Sequence, residues 1–114
     1  MQPSLLEFIR HIHDETRFCI EKTANLEFEN FIKDDILCRA IVRSLEIIGE
    51  ASKRIPPDFK SRYPLVEWKE MTGMRDRLIH HYFGVDYETV WRTVKEDIPA
   101  LHDWIEIILK KESN

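Results

Sequence analysis

Ser4-Leu-Leu-Glu-Phe-Ile-Arg-His-Ile-His-Asp-Glu-Thr-Arg-Phe-Cys-Ile-Glu-Lys-Thr23 is the stretch whose pattern decides the fold class. Leu5, Ile9, Ile12, Thr16, Cys19 and Thr23 step alternately by four and three, and Ile20 widens the stripe. That spacing draws one apolar face along a helix of about five turns. Ser4 with Glu7 forms a capping box at its start, and the helix is expected to end near Ala24 and Asn25.

Outward from this segment the same period recurs. A short polar link anchored by Phe28 and Phe31 leads to a second helix from Asn30 or Asp34, with Ile36, Ala40, Ile41, Leu45, Ile47, Ile48 and Ala51 as its apolar face. Pro56-Pro57 forces it to stop. Arg39, Arg43, Glu46 and Glu50 share the opposite face; weak solvated ion pairs are the simpler reading, and the wall of a polar groove is the sharper one.

Residues 57–62 read as a loop or a single helical turn. A third helix is expected from Pro64, through Leu65, Trp68, Met71, Thr72, Arg75, Leu78 and Ile79, to Phe83-Gly84, with Gly84 just past its end. Gly73 lies in mid-pattern, where it would admit the close approach of a neighbouring helix. Asp86 is a natural N-cap for a last helix with the stripe Val90, Val94, Ile98, Leu101, Ile105 and Ile108, and Pro99 predicts a kink near Asp97. The tail after it is expected to fray. The chain therefore reads as all-α, a four- to five-helix up-and-down bundle over residues 1–114 in a single domain. Broad stripes and the charged second helix fit a homodimer.

Composition agrees. The 114 residues are 43% hydrophobic and 33% charged, with 3 Gly and 5 Pro, so the chain is globular and strands are not expected. A net charge of −4 and a pI near 5.7 disfavour a broad basic DNA-binding surface, and no basic recognition helix stands out. Cys19 and Cys38 sit on apolar stripes, as small core residues of a reducing compartment, and a cytoplasmic location follows. Neither a signal peptide nor a membrane span is expected. His11/Glu15 and His102/Glu106 have i,i+4 spacing, but single pairs of this kind are usually surface residues, and no metal or other cofactor is assigned.

The chemistry concentrates in Met74-Arg-Asp-Arg-Leu-Ile-His-His-Tyr-Phe-Gly-Val-Asp86. Arg75 and His80 would lie about 140° apart on one straight helix. Either the helix distorts near its Gly84 end, or two copies face each other so that one protomer's Arg meets its partner's His. A histidine can move a proton at neutral pH, and a guanidinium can grip a phosphate bidentately. Together they suit metal-independent RNA cleavage by attack of a 2′-hydroxyl on the adjacent phosphate, although by spacing alone a lone Arg and His near a helix end are more often surface or capping residues.

Arg75-Asp76-x-x-x-His80-x-Tyr82 resembles the Arg-polar-x(3)-His-x-Tyr signature of HepT-like HEPN-domain ribonucleases, the toxin halves of type VII-like HEPN/minimal-nucleotidyltransferase toxin–antitoxin pairs. The likeness extends to Ile-Ile-Gly-Glu-Ala at 47–51, to the whole block 73–86 and to Val90-Trp91. It implies a dimeric helical bundle with a composite cleft, RNA as substrate, and a nucleotidyltransferase antitoxin as partner. Arg75 and His80 carry over as catalytic residues and Asp76 as the polar position. Tyr82 carries over as the residue modified with AMP. Arg77 is expected at the cleft rim, His81 as an exposed neighbour, and Arg39, Arg43 and Glu46 as candidates for the groove wall. The rival reading is a non-catalytic module that docks a nucleotidyltransferase or binds nucleotide.

Overall fold

The computed structural model describes residues 4–80 and 84–113, with His80 described by its backbone alone. The first helix, α1 (Leu5–Thr23), buries Ile9, Ile12, Thr16, Cys19 and Thr23, the stripe its spacing predicts. Ser4 caps it: its hydroxyl accepts from the Glu7 N–H at 3.2 Å and donates to Glu7 Oε1 at 3.4 Å. Asn25, at φ 64°, turns the chain out of the helix. The link that follows contains a short helix of its own, α2 (Phe28–Lys33). Phe31 is fully buried and lies 4.9 Å, ring to ring, from Trp91.

Helix α3 (Asp35–Lys53) starts at the Asp34 N-cap, whose side chain accepts from the Leu37 N–H at 3.0 Å. It packs on α1 through Ile41, Leu45 and Ile48. Ile36 does not join this face and is 81% exposed. It precedes Ile41 by five residues, about 140° around the helix, so the turn that buries Ile41 points Ile36 outward. A single helical turn, α4 (Pro57–Ser61), follows.

The expected third helix is broken. Residues 64–67 form turns, because the Tyr63 carbonyl accepts both the Val66 N–H (3.2 Å) and the Trp68 indole N–H (3.0 Å). Leu65 is consequently 71% exposed. Helix proper comes in two short pieces, α5 (Trp68–Thr72) and α6 (Met74–Leu78), separated at Gly73. Ile79–His80 (β1) then pairs antiparallel with Gly84–Val85 (β2), two residues each, the one ladder among the described residues. The Leu78 carbonyl, left over at the helix end, accepts the Asp86 N–H at 2.9 Å. Gly84 does adopt a left-handed conformation (φ 79°), but in this ladder and not at a helix end; Phe83 lies outside the described residues.

Gly73 is not a point of close approach, since an added Cβ there would meet only ordinary contacts from 3.5 Å outward. Gly49 is. A Cβ at that position would stand 3.2 Å from the Met71 carbonyl oxygen, so the missing side chain lets α5 settle on α3.

Asp86 caps α7 (Tyr87–Arg92), accepting from the Thr89 N–H at 3.1 Å and the Thr89 hydroxyl at 2.7 Å. The helix widens into a π turn at Thr93–Asp97 before α8 (Ile98–Glu112). Pro99 is the physical cause: it has no N–H to return and its ring crowds the carbonyl four residues earlier. Val90, Val94, Ile98, Leu101, Ile105 and Ile108 are buried all the same. Lys95, on the π turn, donates to the Thr23 carbonyl at 3.1 Å and closes the end of α1. At the far end Glu112 is held by Tyr63 and, at 3.4 Å, by Arg62, so the tail is anchored through that residue. Among the described residues no helix is long and apolar enough to cross a membrane.

Both cysteines are free and buried. Desolvation pushes the Cys19 thiol from 9.0 up to about 12, slightly relieved by the Ser44 hydroxyl. Above pH 9 the unfolded chain sheds this proton while the native chain keeps it, so stability is lost as pH rises. The loss approaches about 1.4 kcal/mol per pH unit until the native thiol itself ionises. Urea melts between pH 8.5 and 10.5 should therefore slope downward less steeply in Cys19→Ala. Gly49→Val should lower stability by about 1–3 kcal/mol through overpacking against Met71. Gly73→Ala should be neutral or stabilising by up to about 1 kcal/mol. Urea denaturation of both variants checks the pair.

Candidate active site

Helix α6 is anchored from below by Met74 and Leu78, four apart and both buried, and this turns Arg75, Asp76 and Arg77 to solvent. Arg75 leans toward α3, where its Nε donates to Glu46 Oε2 at 3.3 Å. The pair is only partly shielded, with the Arg75 side chain 45% and the Glu46 side chain 26% exposed. That bond engages the inner nitrogen of the guanidinium and leaves its two terminal amino groups for other acceptors. Arg77 points the other way. It pairs with Glu70 at 3.5 Å and lines a groove of about 620 Å³ shared with Met71, Met74, Leu101 and Trp104.

His80 is not on the helix. The helix stops at Leu78, and the His80 backbone sits in the ladder opposite Gly84. The 100° per residue that separates Arg75 from His80 on a regular helix therefore does not apply. Distortion, one of the two alternatives left by the spacing, sets in even earlier than Gly84. His81 and Tyr82 lie outside the described residues.

The proposed groove-wall residues do not meet in one place. Glu46 faces Arg75, Arg39 pairs with Asp35 at 3.3 Å in the open, and Arg43 lines a second groove of about 370 Å³ with Phe8, His11, Ile47, Glu50 and Arg54. The charged face of α3 is thus divided between local ion pairs and two different neighbourhoods. Glu46 is the residue whose place near the site depends on tertiary packing, because α6 is laid across α3.

A second polar cluster lies between α1 and α8. His13, His102 and Glu106 bring two imidazoles and a carboxylate within 4.8 Å of one another. The i,i+4 pair His102/Glu106 is visible in the sequence, but nothing in the sequence attaches His13 to it.

The described residues thus form a compact helical domain with an exposed arginine ahead of a short ladder that contains the His80 backbone. The family described as Ribonuclease HepT-like matches residues 6–108, and the chain belongs to this HepT-like HEPN family of ribonucleases. Among its relatives, a candidate RNase of Caldanaerobacter subterraneus subsp. tengcongensis is 50% identical over 105 residues, 92% of this chain and 94% of that protein. A candidate RNase of Methanocaldococcus jannaschii is 46% identical over 106 residues, 93% and 84% of the two chains. The "Probable ribonuclease HepT" of Thermococcus cleftensis is 46% identical over 110 residues, 96% of this chain and 100% of that one. No solved structure matches the chain.

Because the Arg75–Glu46 pair is half in water, Glu46→Gln should change folding stability by less than about 1 kcal/mol. A thermal melt beyond that range would mean that the pair holds α6 in place.

Proposed function

We propose that this chain is the toxin of a HEPN/nucleotidyltransferase pair, a metal-independent endoribonuclease in which Arg75 and His80 act on RNA. The observation that carries the reading is Arg75 itself. It is presented to solvent by a helix anchored on its buried side, four residues before the first residue of the strand that contains His80, inside a family match covering nearly the whole chain.

In the reaction His80 takes the proton of a ribose 2′-hydroxyl, and the oxygen attacks the neighbouring phosphorus. The bond to the 5′-oxygen breaks, leaving a 2′,3′-cyclic phosphate and, once that oxygen is protonated, a 5′-hydroxyl end. Arg75 stabilises the charge that builds on the phosphate oxygens. Asp76 follows Arg75 on the same exposed turn, while Arg77, turned away and paired with Glu70, has to release that carboxylate before it can add positive potential to the site. The cleft is shared by two protomers of a cytoplasmic homodimer, each residue pair being completed across the twofold axis. AMP attached to Tyr82 by the antitoxin adds negative charge and bulk where the RNA phosphate must sit, and silences the enzyme.

Labelled RNA incubated in EDTA tests the chemistry. The wild type should cleave, His80→Ala should lose about 10²–10⁴-fold, and Arg75→Ala about 10²–10³-fold. Tight binding of the antitoxin with no cleavage by the unmodified wild type would instead make this a non-catalytic docking module. Mixing the two variants tests the shared cleft. A composite site predicts recovery to about a quarter of wild-type activity, since half of the dimers are mixed and each has one intact site. Separate sites within each protomer predict no recovery. Intact mass after incubation with the antitoxin and ATP should show added AMP that maps to Tyr82 and is absent from Tyr82→Phe.

A further inference from the structure

The His13–His102–Glu106 cluster is separate from the Arg75 site, being built on α1 and α8 where the Arg75 site is built on α6 and α3. Its hydrogen bonds set a proton balance. The Thr16 hydroxyl donates to the His13 carbonyl at 3.0 Å, and the same oxygen lies 2.8 Å from His102 Nδ1. A hydroxyl has one proton to give. With it directed at the carbonyl, His102 Nδ1–H donates in the second contact and Nε2 is free to offer a lone pair to a metal; with it directed at Nδ1, Nε2 carries the proton. Nε2 faces Glu106 Oε1 at 3.3 Å.

The second imidazole meets the same carboxylate. His13 stacks on His102 with ring centres 4.8 Å apart, and its Nε2 lies 3.6 Å from Glu106 Oε2. This nitrogen is buried and is the one such side-chain atom among the described residues with no hydrogen-bond partner. Two imidazole nitrogens and one carboxylate therefore converge, with ligand atoms within 4.8 Å of one another.

We propose that this cluster binds a divalent transition-metal ion, Zn²⁺ by its ligand chemistry, which fastens α1 to α8. Two imidazoles and a carboxylate suit zinc better than Mg²⁺ or Ca²⁺, which prefer sets made of oxygen. Tetrahedral zinc with bonds of about 2.0–2.1 Å places ligand atoms roughly 3.4 Å apart. The separations of 3.3 and 3.6 Å run to the two different oxygens of Glu106, and with one atom from each residue the set lies within 4.8 Å, so the side chains must draw together around the ion to close it. Thr16 is the outer partner that holds His102 in the required tautomer. Glu106, with 58% of its side chain exposed, leaves the fourth position open to water. The ion adds a cross-link between two helices that already pack together.

EDTA-treated protein titrated with ZnCl₂, and separately with CoCl₂, tests this. The wild type should take up one equivalent per chain. Co²⁺ should give the visible absorption of a low-coordinate site, and Zn²⁺ should raise Tm by roughly 10 °C at a hundredfold excess over the dissociation constant. MgCl₂ should leave Tm unchanged. Glu106→Gln, at an exposed position that tolerates substitution, and His102→Gln should abolish both responses. Absence of a stoichiometric response in the wild type overturns the proposal. So does a response that survives Glu106→Gln, or one that disappears in His80→Ala and persists in the cluster variants. RNA cleavage in EDTA is read independently, so failure of the metal site leaves the ribonuclease reading to its own assay.

Discussion

The packing of α1 between α3 and α8 is the contact on which the other elements depend. Ile9, Ile12 and Cys19 on α1, Ile41, Leu45 and Ile48 on α3, and Ile98, Ile105 and Ile108 on α8 form a continuous interior with almost no exposed surface. Each such aliphatic side chain is worth about 1.5–3 kcal/mol when withdrawn from water, and no other region concentrates as many. The short helices are too small to be stable alone and take their form from this interior. Met71, Met74 and Leu78 reach into it and fix α5 and α6 on the flank of α3.

That dependence explains how a modest helical scaffold places Arg75. Gly49 lets α5 settle close to α3, Met74 and Leu78 pin α6, and Arg75 is left facing Glu46. The carboxylate orients the guanidinium and moderates its field in an acidic protein. The pair is partly in water and screened over about 8–10 Å at ordinary ionic strength. In a chain of net charge −4 any field that favours an anion is local and sensitive to salt, in contrast to that of a uniformly basic surface.

The π turn before Pro99 has a comparable role at the other side of the molecule. It absorbs the missing N–H without breaking the buried stripe from Val90 to Ile108 and brings Lys95 to the last carbonyl of α1. The same α1–α8 boundary gathers His13, His102 and Glu106, so that seam carries polar contacts midway along it as well as at the Thr23 end of α1.

The helix class, the Ser4, Asp34 and Asp86 caps, and the buried stripes of α1 and α8 were determined by local sequence. Apolar period and capping chemistry act over one or two turns and need no distant partner. The break between α5 and α6, the ladder at Ile79 and Gly84, the exposure of Ile36 and Leu65, and the bonding of Arg75 to Glu46 were decided by tertiary structure. These depend on contacts outside the helical period, as when the Tyr63 carbonyl meets the Trp68 indole, the Leu78 carbonyl meets the Asp86 N–H, or Arg75 meets Glu46 from another helix. The motif residues from Arg75 to Tyr82 could be named from sequence because their identities and spacing carry the family likeness. The neighbours of Arg75 could not, nor could the meeting of His13 with His102, because periodicity gives the face of a helix and only packing decides what stands opposite it.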